Sequence, residues 1–319
     1  MIALLVASVI AAVVISRASD DEFDPSALFY IAPAIEVGDA PQSLSVGEGG
    51  IWVTNAGDGT VSLIDPGSSE TVGKPISVGP VPSGIAAGAG SVWVGFGEGS
   101  TTISRIDPHA RKVVDENIEI GRAPSSVAVG EDAVWVAALV GDVVARLEPT
   151  TGQVEERVGD EVFDFPSTVT TGLGSVWVTD VNENQLVEID PKTMSVDARV
   201  EVGFSPTTLA VDDDAIWVVN FDKTLTRVDA NDVEVTETIA LAEQAGSITT
   251  GDGFVWATLP KADSVVRIDS RTARVVGATI PVGDNPQGIV YEDGRLWVAN
   301  QGDDTVTQID LHPDESRGG

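Results

Sequence analysis

The sequence predicts an all-β protein: seven repeated units of four antiparallel strands, closed into a ring by an N-terminal strand that completes the last unit. Three observations carry this. Seven tryptophans, Trp52, Trp93, Trp135, Trp177, Trp217, Trp256 and Trp297, stand 41, 42, 42, 40, 39 and 41 residues apart. A period near 40 residues is the length of one four-stranded unit in a repeat architecture. Eleven residues before the tryptophans stand Pro41, Pro82, Pro124, Pro166, Pro206, Ala245 and Pro286. Twelve to fourteen residues after them stand Asp65, Asp107, Glu148, Asp190, Asp229, Asp269 and Asp310.

Each unit reads as four short strands. The first follows the proline, as in "QSLSV" at 42–46, and a Gly- and Glu-rich turn leads to the second, "IWVTN" at 51–55. A polar loop leads to the third, "TVSLID" at 60–65, and an Asp-Pro turn leads to the outermost, "KPISVG" at 74–79. Gly and Asp stand where hairpins need positive φ at little steric cost. The residues flanking each tryptophan are apolar, from Ile51 and Val53 to Leu296 and Val298. A strand with one face in water alternates apolar and polar residues. These strands are apolar on both faces, as when one sheet is sandwiched between two others. Radially stacked blades meet that demand, so the expected fold is a seven-bladed β-propeller over residues 31–310. The last unit lacks an outermost strand, and the orphan segment "AIEVG" at 34–38 supplies it. That pairing removes the open edge, and it places Ile35 and Val37 in a ladder with residues 305–309.

Composition fits the same class. The apolar fraction of 42% supplies a core, rich in Val, Ile and Ala, and strand formers outnumber helix formers. Fifty acids against eighteen bases give a formal charge of −32. Such a surface repels nucleic acid and anionic lipid, which excludes both as expected partners. With no cysteine there is neither a disulfide framework nor thiolate chemistry. The first sixteen residues, "MIALLVASVIAAVVIS", are uninterrupted apolar sequence ahead of Arg17 and the acids Asp20, Asp21 and Glu22. As a helix they reach roughly 24 Å, short of the ~30 Å hydrocarbon core. Their length suits a secretory signal, with small residues Ser16 and Ala18 flanking Arg17, although the basic start of a signal is missing. Residues 1–18 are therefore expected to be a signal peptide or a membrane anchor, residues 19–30 a linker, and residues 311–319 a disordered tail. On either reading the ring is secreted or membrane-anchored, and expected to be a monomer.

The segments "IWVTNAGDGTVSLIDP", "VWVTDVNENQLVEIDP" and "LWVANQGDDTVTQIDL", with the preceding "VGDAPQSLSVGEGG" and "VGDNPQGIVYEDGR", resemble the YVTN-type β-propeller repeat. The likeness spans residues 31–310. It implies the propeller fold and leaves function open, because such propellers serve as surface proteins, sensor domains and a few enzymes. Similar propellers follow a membrane helix in bacterial signalling proteins. Streptogramin (virginiamycin B) lyases are the enzymatic relatives of this group, and they pair a histidine base with Mg²⁺ held by acids. This chain has two histidines. His109 falls in the turn "IDPHAR" between third and outermost strands, and His312 falls in the tail. A general base must reach the substrate proton, so neither is expected to serve, and no catalytic residue is assigned.

Ligand sites in propellers lie at the mouth of the central channel, on the inter-blade loops and the loops after the second strands. There the repeats disagree most. The inter-blade loops carry Asp39, Arg122, Asp164, Phe165, Phe204, Glu243, Gln244, Asp284 and Asn285. Three residues after each tryptophan stand Asn55, Phe96, Ala138, Asp180, Asn220, Leu259 and Asn300. From these, Asp39, Asn55, Arg122, Asp180, Asn220, Asp284 and Asn300 are the expected ligand-binding residues. Their ligand is a small molecule, a peptide or a partner domain, recognised without chemistry. The alternative is a metal-dependent hydrolase or lyase holding Ca²⁺ or Mg²⁺ with acidic residues in the central channel, since such oxygen ligands suit hard cations.

Overall fold

A computed structural model gives the structure, which describes residues 29–97, 99–159 and 161–312. The signal or anchor expected at 1–18, nearly all of the linker and most of the tail lie outside the described residues. Among those described, no helix is long and apolar enough to cross a membrane. The chain forms seven antiparallel sheets, one per tryptophan, numbered here as blade 1 (Trp52) to blade 7 (Trp297). In blade 1 the strands are Pro41–Gly47, Gly50–Asn55, Thr60–Asp65 and an outermost pair of pieces, Glu70–Thr71 and Ile76–Ser77. The outermost strand was expected to be continuous. It divides around Gly73 and Pro75, and Pro75 has no N–H to offer the ladder. Blade 6 divides likewise, into Arg274–Val275 and Ile280–Pro281.

Ring closure occurs as expected, with Ile35 inside the expected 305–309 range and Val37 one residue beyond it, at Asp304. Ile35 lies opposite Val306 and Glu36 opposite Thr305, and Val37 N donates to Asp304 O at 3.1 Å. Upstream of Pro33 a second piece continues the edge, with Tyr30 opposite Asp310 and Ile31 opposite Ile309. The outermost strand of blade 7 thus begins at Tyr30, within the segment read as linker.

The second strands, Gly50–Asn55 and its equivalents, are buried nearly throughout. Their side chains alternate between two seams. Trp52 packs on Ile85, Val92 and Val94 of blade 2, while Ile51 and Val53 face the other way, toward Trp297 of blade 7. The same handover repeats around the ring in seven apolar clusters. Each cluster holds one tryptophan that is at most 1% exposed. No single core exists; the hydrophobic interior is seven seams, and the seventh joins blade 7 to blade 1. In four blades the indole N–H also donates to the carbonyl five residues earlier, as from Trp52 to Gly47 at 3.0 Å.

The acid marker caps the turn into the outermost strand. Asp65 Oδ1 accepts from the N–H groups of Gly67 and Ser68, and Asp107, Glu148, Asp190 and Asp229 repeat the arrangement. These bonds favour the charged form and hold the carboxyls below their ordinary range. Glu148, bonded chiefly through Thr151, falls to about 2.

Candidate functional site

One end of the ring carries the inter-blade loops and the loops between second and third strands; the other carries the remaining turns. The expected site residues all belong to the first end, in blades 1, 3, 4, 5 and 7 and the loops that lead into them, and they divide into two groups. Asn55, Asp180, Asn220 and Asn300 are each 0% exposed. Asn55 Nδ2 donates to Thr60 Oγ1 and Ser62 Oγ, both at 2.9 Å. Asn220 bonds Thr224 and Thr226 in the same way, as Asn300 bonds Thr305 and Thr307. Each amide lies beneath a glycine of the arriving inter-blade loop. A Cβ on Gly38, Gly203 or Gly283 would stand 2.4–2.6 Å from atoms of Asn55, Asn220 or Asn300. The expectation that these amides face the mouth is corrected: they brace a hairpin against the loop above it.

Asp39, Arg122 and Asp284 are exposed at the surface. Asp39 N donates to Asp58 Oδ2 at 3.3 Å, and its carbonyl accepts from Gly57 N at 3.0 Å. Asp284 repeats both bonds with Asp303 and Gly302. The carbonyl of Arg122 accepts from Val140 N. The remaining residue before each proline sits in a strained conformation: Ala40, Val81, Ala123, Phe165, Ser205 and Asn285 all have φ between 51° and 74°. Side chains from the preceding blade hold several of these loops. Asp304 accepts from Ala40 N, Asp142 from Phe165 N, Asn184 from Ser205 N and Asp263 from Asn285 N, at 2.7–3.0 Å.

The central channel offers a cavity of about 310 Å³ lined largely by hydroxyl-bearing and aliphatic residues, among them Ser43, Ser83, Ser125, Thr168 and Thr208. Several of these hydroxyls are occupied as staples between blades: Ser83 Oγ donates to Ser125 O and Thr168 Oγ1 to Thr207 O. The seven innermost strands carry one carboxylate, Glu292. Acidic residues expected in the channel are therefore on the loops instead. Among the described residues no group of three or more His, Asp or Glu side chains is placed to hold a metal ion. Both histidines lie at the other end of the ring. His109 is in the turn capped by Asp107, and His312 Nε2 is 2.5 Å from Asp252 Oδ2, in the first turn of blade 6.

Two departures from sevenfold regularity lie outside the seven expected site residues. In blade 5, Phe204 and Phe221 are each 62% exposed and adjacent, with Phe221 N donating to Phe204 O at 2.9 Å. Before blade 4, the marker glycine and proline are seven residues apart, Gly159 to Pro166, against three in the five other Gly–Pro loops. The extra length folds over a cavity of about 420 Å³ lined by Glu161, Val162, Phe163, Asp164, Glu183, Gln185 and Arg199. Loop spacing was the available signal for the second; for the first, two phenylalanines at loop positions.

No family model matches the chain, and no curated protein matches it. Solved structures share the fold. A streptogramin B lyase structure aligns with TM-score 0.74 at 18% identity, covering 88% of this chain and 97% of that one. Virginiamycin B lyase from Staphylococcus aureus aligns with TM-score 0.73 at 18% identity, covering 88% and 99%. Hydrazine synthase of Kuenenia stuttgartiensis aligns with TM-score 0.68 at 11% identity, covering 84% and 95%. These likenesses establish the propeller architecture, and the range of activities in their names shows why the fold alone assigns none.

Proposed function

We propose that the chain is an extracytoplasmic, non-catalytic propeller of the YVTN-like kind, binding a ligand or partner on the end that carries the inter-blade loops. The observation that carries this reading is the exposed pair Phe204 and Phe221. Aromatic side chains dominate interface energetics when they are covered, and an adjacent exposed pair on a chain of charge −32 is costly surface unless something covers it. The pair also stands next to the irregular blade 4, whose Asn184 holds the loop of Phe204 through Ser205. Export rests on the apolar residues 1–16. The non-catalytic reading follows from the two histidines, which lie at the end away from these loops.

Selection of random twelve-residue peptides on the purified protein tests the face. Enriched peptides are expected to bind Phe204→Ser/Phe221→Ser at least about tenfold more weakly than wild type, and to protect residues 200–224 from hydrogen exchange. Equal affinity for the double variant, with protection at the opposite end, would overturn the reading.

A further inference from the structure

We infer that the loop-bearing end carries an apolar arc over blades 2 to 5, and that the arc docks a peptide segment of a partner protein, one with apolar anchors among lysines or arginines. This deepens the proposed function and rests on its choice of binding face.

In these blades one backbone rung joins the arriving loop to the hairpin after the second strand. The residue four after the tryptophan donates its N–H to the carbonyl just before the marker proline. Gly97 donates to Val81, Leu139 to Ala123, Val181 to Phe165 and Phe221 to Ser205, at 2.9–3.4 Å. The two residues of each rung therefore stand side by side on this end of the ring. In blades 2 to 5 all of them are apolar except Ser205, and there Phe204 is the apolar neighbour, its carbonyl also accepting from Phe221 N. The equivalent residues are Gln244 and Pro260 in blade 6, and Asn285 and Gln301 in blade 7.

The two halves of the ring differ in what meets these side chains. The polar half closes on itself: Asn285 Nδ2 donates to Gln301 Oε1, and Gln287 Nε2 donates to Asn285 Oδ1, at 2.8–2.9 Å. Gln244 Nε2 donates to the carbonyls of Asn220 and Ala245. The apolar half is left to water. Val81 is 53% exposed and Phe204 and Phe221 are each 62% exposed, while Leu139, Phe165 and Val181 are partly exposed. The other large apolar side chains exposed among the described residues lie elsewhere. Leu173 is in a turn at the opposite end, and Val114, Val235 and Val275 stand near the starts of outermost strands. At the loop-bearing end the exposed apolar surface is thus one arc rather than a scatter, which is the mark of an interaction site. The arc also carries a backbone cost, since Val81 at φ 52° and Phe165 at φ 74° hold bulky side chains in the left-handed region.

Charge decides what covers the arc. Beside it on blades 4 and 5 stand the exposed carboxylates of Asp164, Glu183 and Asp222, and Lys223 is already paired with Glu243 at 3.2 Å. A second copy of this chain would bring its own charge of −32 against them, and an anionic membrane would bring the same sign. A partner segment rich in basic residues brings the opposite sign. Its apolar side chains replace water over the phenylalanines and its bases meet the acidic border, the usual division between the centre and rim of an interface.

Fluorescence anisotropy of a labelled twelve-residue peptide of alternating leucine and lysine, titrated with the full chain, tests this. Wild type is expected to bind it saturably, and the serine–lysine peptide of equal charge at least about tenfold more weakly. Val81→Gly and Phe165→Ser are each expected to weaken the leucine–lysine peptide at least about threefold. Val81→Gly relieves a strained backbone, so its loss of binding is not a loss of fold. Leu173→Ser, at the opposite end, is expected to leave affinity unchanged. Equal binding of the serine–lysine peptide, or an equal loss in Leu173→Ser, overturns the arc and shows a general response to charge. A leucine–glutamate peptide binding as tightly as the leucine–lysine one overturns the basic partner. If Phe204→Ser/Phe221→Ser weakens binding while Val81→Gly and Phe165→Ser do not, the arc fails and the proposed binding face stands. If none of these variants weakens binding, both fail.

Discussion

Replacing Gly38 by alanine tests whether the amides beneath the inter-blade loops are braces. The new Cβ would stand 2.6 Å from Cγ and Nδ2 of Asn55 and 2.7 Å from Oδ2 of Asp58. Asn55 has no freedom to yield, because it is 0% exposed and tied to Thr60 and Ser62. Inserting a methyl group into such packing costs about 1–3 kcal/mol. Asn55→Ala removes two hydrogen bonds and leaves Ser62, only 2% exposed, without its partner, which costs about 1–3 kcal/mol. The two losses do not add. With Asn55 truncated, the methyl group at 38 still meets Asp58 Oδ2, but that is the end of an exposed side chain that can turn aside, so the double variant is expected within about 0.5 kcal/mol of Asn55→Ala alone. Guanidinium unfolding followed by fluorescence of the seven buried tryptophans measures all four corners of the cycle. Each kcal/mol also moves the melting temperature by about 2–4 °C in a domain of this size class. Additive losses, or an Asn55→Ala variant as stable as wild type, would show that the amide does not brace the loop.

Two other expectations concern charge and strain. Asp65, Asp107, Asp190, Asp229 and Glu148 have carboxyls held below their ordinary values by turn N–H groups. Depressed acids contribute stability that is fully present above the unfolded values and disappears as pH falls through the folded ones. Glu148 therefore contributes fully above its ordinary 4.5 and loses its contribution down to about 2. An acid titration followed by circular dichroism is expected to be shallower for Glu148→Gln between those limits, and an unchanged profile would refute the capping role. Val81 is β-branched, 53% exposed and at φ 52°. Val81→Gly is expected to raise stability by about 0.5–1 kcal/mol, since relief of the left-handed strain outweighs the entropy of an added glycine. A lower denaturation midpoint at unchanged slope would contradict this.

Markers that serve every blade alike were legible in the sequence. Trp52 and its equivalents, the acid turns and the apolar second strands report the seam, which is the same environment seven times over. Closure was legible as well, because an orphan strand and an incomplete last unit require each other. The side-chain direction of Asn55 was not. It ends its strand, and whether it points to water or under a loop depends on Gly38, which arrives from seventeen residues upstream. A local clue existed in the hydroxyls that follow, Thr60 and Ser62, Thr224 and Thr226, Thr305 and Thr307. A lone amide at a loop mouth is a candidate ligand; an amide with two hydroxyls in register on the next strand is a brace.

Several arginines are directed to backbone carbonyls of a neighbouring blade or inter-blade loop. Arg105 reaches Thr150 O, Arg111 reaches Lys74 O, Arg157 reaches Glu119 O and Arg295 reaches Pro66 O, at 2.6–2.9 Å. Arg295 does this across the closing seam, beside Ser69 Oγ bonded to Gln308 Oε1. A guanidinium suits this task, since its charge persists at every physiological pH and its planar fork can bind a carbonyl while stacking on a ring. Arg105 does both, 5.2 Å from the centre of Trp93. Donors committed to carbonyls are not free to pair carboxylates. Arg105, Arg111 and Arg295 thus tie blades together at the end away from the inter-blade loops, whereas Arg157 and Arg199 hold carbonyls at the loop-bearing end and Lys223 pairs there with Glu243.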